Sequence, residues 1–578
     1  MNRRQMLAGV ALAAAAAGTS FGTARAGEGA DARLAEMLDR HARSLGELGG
    51  SAADPVGDRS LAARSAAHQV NRGRIAELQS IAPDQLSPMA RLDRDTAAFV
   101  YSVLDDQLAR PGTIDLDLRP SPYVVSQMNG AYYWLPQRLG GRAATAEPEA
   151  YLDGIDALAR GIDQESERIA HDAGQGTVPP DFVLAITLAQ VRGLRDSDPA
   201  ANPLLSQALS RGELGAQATE RFNRLVAPAL DRQAAALEAL IPRATETAGV
   251  WAQPDGEANY ASSLRANTTS NVAPGELHRM GLEWVRELSE ALDRDLRAVG
   301  LSQGSVGERI AALNVDPRFI QPDTDAGRAE VMRQAEGYLA AARGRIDRAL
   351  TRVIDDPVEV RRMPVTTEAS SPVAFYNGGG GQGPGNVLLN LKTPSDLPSW
   401  RLPTLIHHEG VPGHHTQASV LRDAGGLSAF RLTARFSAWT EGWALYAEHV
   451  ADEIGSYAED PFGRIGYLQA QLWRAGRVVV DTGLHHERWS REQGVAYMVD
   501  VVGELPGPTS REVDRYAVYP GQACCFMVGK QQLVASREAA RRTMGARFSL
   551  VDYNDLILRS GPLPMEVLDA MVQQWSAA

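Results

Sequence analysis

Ile406-His407-His408-Glu409-Gly410-Val411-Pro412-Gly413-His414-His415-Thr416-Gln417 is the stretch from which the rest of the chain can be read. Four imidazoles and one carboxylate fall between positions 407 and 415, in a protein of 578 residues with 11 histidines. The nearest motif with a mechanism is H-E-x-x-H, where two histidines one helical turn apart hold zinc and the glutamate works on the bound water. Here the spacing differs. Residues i and i+4 of a regular helix lie about 40° and 6 Å apart, but from His408 that position is Pro412, which offers no ligand atom. His414, at i+6, falls roughly 240° around and 9 Å along a straight helix. Pro412 and Gly413 supply a remedy, because proline removes a helical hydrogen bond and glycine tolerates unusual backbone angles. The stretch therefore reads as an H-E-x-x-H helix with a Pro-Gly bulge that returns His414 to the face of His408. His415, nearly in phase but farther along the axis, is the alternative ligand; otherwise it is a neighbour or a substrate contact.

A second half of the site lies downstream. Arg431 to Ile454 reads as one helix, and it carries Thr440-Glu441-Gly442-Trp443-Ala444-Leu445-Tyr446-Ala447-Glu448. Glu441 is placed to be the third ligand, delivered by a following antiparallel helix. Glu448, two turns on and on the same face, can orient a ligand imidazole. The plain alternative is a pair of solvated glutamates, and the flanking Trp443, Leu445 and Tyr446 argue against it. Arg477 to His486 reads as a helix running into a histidine pair, and Glu512 to Gln522 as a polar-aromatic turn. A hydrolase needs a donor for the developing oxyanion, and His485 and Tyr516 are the candidates, each weighed against a structural role.

The whole chain sets wider bounds. Apolar residues make up 44% of it, as in a globular protein, and after the N-terminus no apolar run is long enough to span a bilayer. Residues 1–26 read as a leader: Asn2-Arg3-Arg4-Gln5-Met6-Leu7 is a twin-arginine signature, an apolar stretch follows, and Ala24-Arg25-Ala26 is a small-x-small cleavage site. That predicts a periplasmic or secreted protein with no stable membrane association after cleavage. Losing Arg3, Arg4 and Arg25 takes the formal charge from −13 to −16, a balance that argues against nucleic acid as partner. Cys524 and Cys525 are adjacent and read as small buried residues rather than a disulfide framework.

From Asp31 to about Gly249 the pattern is helical throughout, as in Glu149–Ala173 and Glu213–Leu240. Val358 to Leu391 is the part that reads as extended, interrupted by the glycine-rich run at 377–385. That run lacks the G-K-[ST] ending of a phosphate loop and reads as a loop beside an edge strand. The organisation expected is a leader over 1–26, an N-terminal helical half over 27–250 and a metal-site half over 251–578, the two halves forming one continuous domain.

These motifs resemble the domain-of-unknown-function 885 family, whose signature is H-E-x-x-P-G-H-H-x-Q followed by E-G-W-A-L-Y-x-E. The match is His408 to Gln417 and then Glu441 to Glu448, with further family-like blocks at Pro254–Gly256, Tyr260–Thr269, Asp481–His485, Arg515-Tyr516, Pro520–Ala523 and Gly561–Pro564. The family in turn resembles the mostly helical zinc carboxypeptidases and oligopeptidases. The resemblance implies a mostly α, zinc-peptidase-like fold with a small β-sheet edge near an active-site channel. The function expected is an exported zinc-dependent metallopeptidase acting on small peptides. One zinc per chain is held by His408, His414 and Glu441, with Glu409 as general base on a metal-activated water. A two-histidine, one-carboxylate set also suits iron or manganese. A metal-dependent hydrolase of a non-peptide amide or ester is the alternative, and a non-catalytic periplasmic binding protein the third reading; binding alone has no use for a base beside His408.

Overall fold

Apolar residues spaced three and four apart dominate the chain, and such stretches fold as helices that bury one face. The computed structural model describes residues 21–47, 56–115, 117–351, 356–365, 367–368, 371–378 and 383–578, and over these the protein is mostly helical with two small sheets. Residues 1–20, the twin-arginine signature included, lie outside the described residues, while Ala24-Arg25-Ala26 falls within a helix, Phe21–Glu47. No described helix is long and apolar enough to cross a membrane.

In the first half, Pro148–Gly174 is one helix with Leu152, Ile155, Leu158 and Ile162 turned inward. Glu213–Arg221 continues through a π-helical turn, Phe222–Val226, into Ala227–Glu238. These helices build a core of their own from Val56 to Leu240. A second, larger core draws side chains from Leu34 to Val572, so buried residues cross the division read at position 250. A short ribbon, Thr113–Ile114 paired with Pro120–Ser121, interrupts the helices of this half. Strands of two residues carry no detectable period, which is why the segment reads as helical from sequence.

The extended region forms a sheet of β1 (Val358–Arg362), β2 (Ala374–Asn377) and β3 (Gly385–Leu389) in the order β1-β3-β2. β1 and β3 are parallel, β2 and β3 antiparallel with Tyr376 opposite Val387. β2 is therefore an edge strand, and it carries Tyr376. Residues 379–382 of the glycine-rich run lie outside the described residues.

Six helices position the site: α1 (Leu402–Glu409), α2 (His414–Asp423), α3 (Ser437–Glu453), α4 (Pro461–His485), α5 (Pro506–Val518) and α6 (Cys525–Met544). Three readings change here. The motif is not one bulged helix but two helices, with residues 410–413 between them. Gly413 makes that junction: a Cβ there would lie 1.9 Å from the carbonyl oxygen of His408, so no other residue fits. His407 Nδ1 lies 2.9 Å from the Val411 carbonyl oxygen across the same turn. The Arg431–Ile454 segment is likewise broken, into Ala429–Thr433 and α3, where the buried Phe436 takes an extended backbone. Glu512–Val518 belongs to α5 rather than a turn; the turn comes at 519–521, closed by Gly521 at φ +80°.

α3 and α6 cross in backbone contact. A Cβ on Gly442 would lie 2.7 Å from Gly529 Cα, and one on Gly529 would lie 2.2 Å from the Ala438 carbonyl oxygen. Trp443 Nε1 donates to the Pro412 carbonyl oxygen at 3.0 Å and ties α3 to the α1–α2 junction. These two contacts fix the height and rotation at which Glu441 leaves α3.

Candidate metal centre

α1 presents His408 and Glu409 in its last turn, α2 begins at His414, and α3 brings Glu441 between them. Glu441 Oε2 lies 3.7 Å from His408 Nε2 and 3.4 Å from His414 Nε2. One ligand atom from each residue fits within 4.8 Å of the other two, and the imidazole rings stand perpendicular with centroids 5.0 Å apart. Bonds of about 2.0–2.1 Å in a tetrahedral site set ligand atoms roughly 3.3–3.4 Å from one another. The three residues therefore fit a zinc-sized ion, and the geometry selects His414 over His415.

Behind the ligands a buried chain fixes the tautomer. His408 Nδ1 lies 2.7 Å from Glu448 Oε1, and Gln471 Nε2 of α4 donates to Glu448 Oε2 at 3.0 Å. With Nδ1 donating to the carboxylate, Nε2 keeps its lone pair toward the ligand cluster. Burial opposes a charge on His408, but hydrogen bonds to Glu441 and Glu448 and the field of Glu409 outweigh it and lift its pKa to about 9. Burial would raise Glu441, yet His408 and His414 hold it far below the usual carboxylate range. The pocket is thus strongly negative and calls for a cation, proton or metal. Glu409, largely buried beside His408, makes no hydrogen bond or ion pair among the described residues, which leaves its carboxylate free to take a proton.

His415 points the other way. Its Nδ1 lies 3.2 Å from the Tyr376 hydroxyl of β2, and Gly385 leaves room for the pair, since a Cβ there would meet both at under 3 Å. Burial, then the charge of Arg422, lowers the His415 pKa to about 4, so the ring is neutral at physiological pH. Tyr376 is a hydroxyl donor that the sequence reading passed over as an ordinary strand residue.

The two oxyanion candidates fare differently. His485 Nδ1 accepts from the Val250 amide at 3.0 Å, and its Nε2 donates to the Tyr516 carbonyl oxygen at 3.1 Å. Both nitrogens are engaged by main chain, so His485 clasps Val250 to α5 and has no N–H left for an oxyanion. Tyr516 is fully buried and its hydroxyl lacks a hydrogen bond of good geometry; the guanidinium carbons of Arg515 and Arg477 lie 5.3 and 5.7 Å from its ring centroid. Cys524 and Cys525 are free and buried. A cavity of about 1060 Å³, lined among others by Arg119, Tyr133, Trp134 and Tyr519, includes none of the ligand residues.

Fold and site together define a mostly helical protein with a two-histidine, one-carboxylate cluster built at a Pro-Gly helix junction. The chain belongs to the bacterial proteins of unknown function grouped as DUF885, whose family model matches residues 41–572. It is similar to the crystal structure of a candidate lipoprotein from Colwellia psychrerythraea, at 28% identity over 95% of this chain and 99% of that one, with a TM-score of 0.86. A candidate lipoprotein of unknown function from Shewanella oneidensis shares the fold at 16% identity and a TM-score of 0.70, over 94% of this chain and 99% of that one. No curated protein matches the chain.

Proposed function

We propose that the protein is an exported metal-dependent peptidase. The observation that carries the reading is the meeting of His408, His414 and Glu441 around a volume of metal-site size, with the unpartnered Glu409 alongside. A divalent metal held by these three residues, zinc by its donor set, supplies Lewis acidity that acidifies water and polarises a carbonyl; iron or manganese suits the same donors. Glu409 takes a proton from water at its carboxylate and returns it to the leaving amine as hydroxide adds to the acyl carbon and the C–N bond breaks. Glu448 keeps His408 in the tautomer that leaves Nε2 free. β2 offers a strand edge along which an extended peptide can lie. Export is supported by the twin-arginine-type leader and by likeness to two candidate lipoproteins.

The test is Glu409→Gln. Peptide cleavage by the metal-loaded protein falls by about 10²–10⁴-fold, while elemental analysis still finds one metal per chain. Full activity in that variant refutes the mechanism, and absence of metal from the unaltered protein favours a binding protein instead.

A further inference from the structure

The cavity of about 1060 Å³ is built mainly by the N-terminal half of the chain, and no residue of the metal cluster lines it. Its size is at the upper end for a small-molecule site, about 300–1,000 Å³. Among the described residues its wall holds six arginines, three aspartates and no lysine or glutamate, in a chain whose formal charge is −13.

Much of that wall is in balance. Arg119 meets Asp115 and Asp117 at 2.8 and 3.2 Å, and Arg435 meets Asp117 at 3.5 Å. Arg59 is paired with the buried Glu165 at 2.5 Å. Asp58 is exposed and accepts from the Ser60 amide and the Gln164 side chain. Arg64, Arg138 and Arg168 form no ion pair among the described residues. Arg64 Nη2 donates to the carbonyl oxygens of Gln107, at 2.7 Å, and Arg110; Arg168, 7% exposed, donates to that of Gly112. These two guanidiniums stand close enough to repel each other: burial, then the charge of Arg168, lowers the Arg64 pKa to about 10. Asp172 acts on both, but it also takes the Gly112 amide at 3.1 Å. A carbonyl oxygen satisfies a guanidinium hydrogen and leaves the charge uncompensated, so this corner lacks an anion.

The wall that leads away from Arg64 is apolar. Val100, Leu104 and Leu108 recur every fourth residue along the helix Pro88–Leu108 and line the cavity together with Phe430. At 1.5 Å per residue the strip is about 12 Å long, and Arg64 is bonded at its Leu108 end. Ala63 and Ala67, on the helix Leu61–Gln79, line the same space with small side chains. None of these side chains forms hydrogen bonds. A peptide backbone laid along them would give up its hydrogen bonds to water, whereas an alkyl chain gains from leaving water. Tyr133 and Trp134, 40% and 37% exposed, stand where the cavity meets solvent, with the Arg138 guanidinium 5.4 Å from the Trp134 ring centroid.

We infer that the cavity binds a single-chain amphiphile, with an anionic head, carboxylate or phosphate, at Arg64 and Arg168 and an alkyl chain along Val100, Leu104 and Leu108. The inference goes beyond the peptidase reading and does not rest on it. An extended chain of about ten carbons, with single bonds near 1.5 Å, spans the strip.

The test measures binding by calorimetry, below micelle-forming concentrations, to zinc-loaded and metal-stripped protein. The probes are dodecanoate, dodecyl phosphate, hexanoate, dodecyltrimethylammonium and the N-acetylated, C-amidated peptide Glu-Ala-Ala-Ala. At least one of the two dodecyl anions binds at one per chain, equally with and without metal; tighter binding of dodecanoate assigns the head to a fatty acid, and of dodecyl phosphate to a phosphorylated lipid. Each methylene removed weakens binding about fourfold, and the ammonium head binds at least about 10–100-fold more weakly. Arg64→Met loses about 10–100-fold in affinity for the anion, and Arg64→Lys keeps most of it. Where Arg64→Met fails to fold, the head-group and chain-length series on the unaltered protein decide alone. The site is overturned if the cation binds as well as the anions, if chain length has no effect, if binding requires the metal, or if many molecules bind per chain. Unchanged affinity in a folded Arg64→Met, or tighter binding of the acidic peptide than of either dodecyl anion, overturns it too.

Discussion

Replacing Glu448 by glutamine separates the work of orienting a ligand from the work of binding metal. Glu448 is 1% exposed and touches His408 and Gln471 at 2.7 and 3.0 Å, so a glutamine of the same shape fits the space. The substitution acts in two ways. The new side chain can still accept from His408 Nδ1 through its carbonyl oxygen, but a neutral acceptor forms roughly half as strong a bond as a carboxylate. The imidazole is then a poorer donor to metal, and affinity drops about 10–100-fold, the range found when a group that orients a metal-ligating histidine is lost. Separately, the introduced amide now faces the amide of Gln471. One buried donor goes unsatisfied, costing about 1–3 kcal/mol whether or not metal is present. The first effect appears in competition against a chelator of known affinity, the second as a lowered urea midpoint with metal removed. Adding Gln471→Glu restores only part of the stability, since the new carboxylate accepts from the introduced amide but the Leu445 carbonyl oxygen loses the Gln471 donor at 3.2 Å. Unchanged metal affinity, or a loss as large as in His414→Ala, would refute this account of Glu448.

Two further outcomes follow from the same geometry. Gly413→Ala forces a methyl against the His408 carbonyl oxygen, so the α1–α2 junction must shift; one-metal-per-chain stoichiometry is lost even where circular dichroism finds the helices intact, and a fully loaded variant contradicts the role given to this glycine. Glu453 tests pH dependence away from the site: burial would raise its pKa, but His449 and the two-point contact with Arg537, at 2.7 and 2.9 Å, pull it down to about 2. A depressed carboxylate stabilises the fold above its unfolded pKa and loses that contribution as pH falls toward 2, so Glu453→Gln costs about 2 kcal/mol at pH 7 after allowing for its partial exposure, and the gap to the unaltered protein closes on acidification; a gap independent of pH sinks the assignment.

What could be read from the sequence was chemical identity, and what could not was long-range placement. Four histidines beside one glutamate, followed by a Glu-Gly-Trp helix, named residues that the structure draws into one cluster. The path of the chain between His408 and His414 was misread, because Pro-Gly is compatible with a bulge or a full break, and only the closeness of Gly413 to the His408 carbonyl decides. His485 looked like a free donor because the partner of its Nδ1, Val250, lies 235 positions earlier. Tyr376 was overlooked for the converse reason: its partner, His415, is 39 positions later and on another element.

The glycine-to-glycine crossing of α3 and α6 has a consequence for how this centre can vary among relatives. Glu441 stands one residue before Gly442, so the gap between carboxylate and imidazoles is gauged by two bare backbones in contact. A calliper of that kind has one setting. Any side chain at Gly442 or Gly529 wedges the helices apart and carries the carboxylate away from His408 and His414 together. Ligand types at the three positions are thus free to drift only while the jaws stay closed, and a shift in metal preference would be sought first in the packing of those helices, not in the residues that hold the ion.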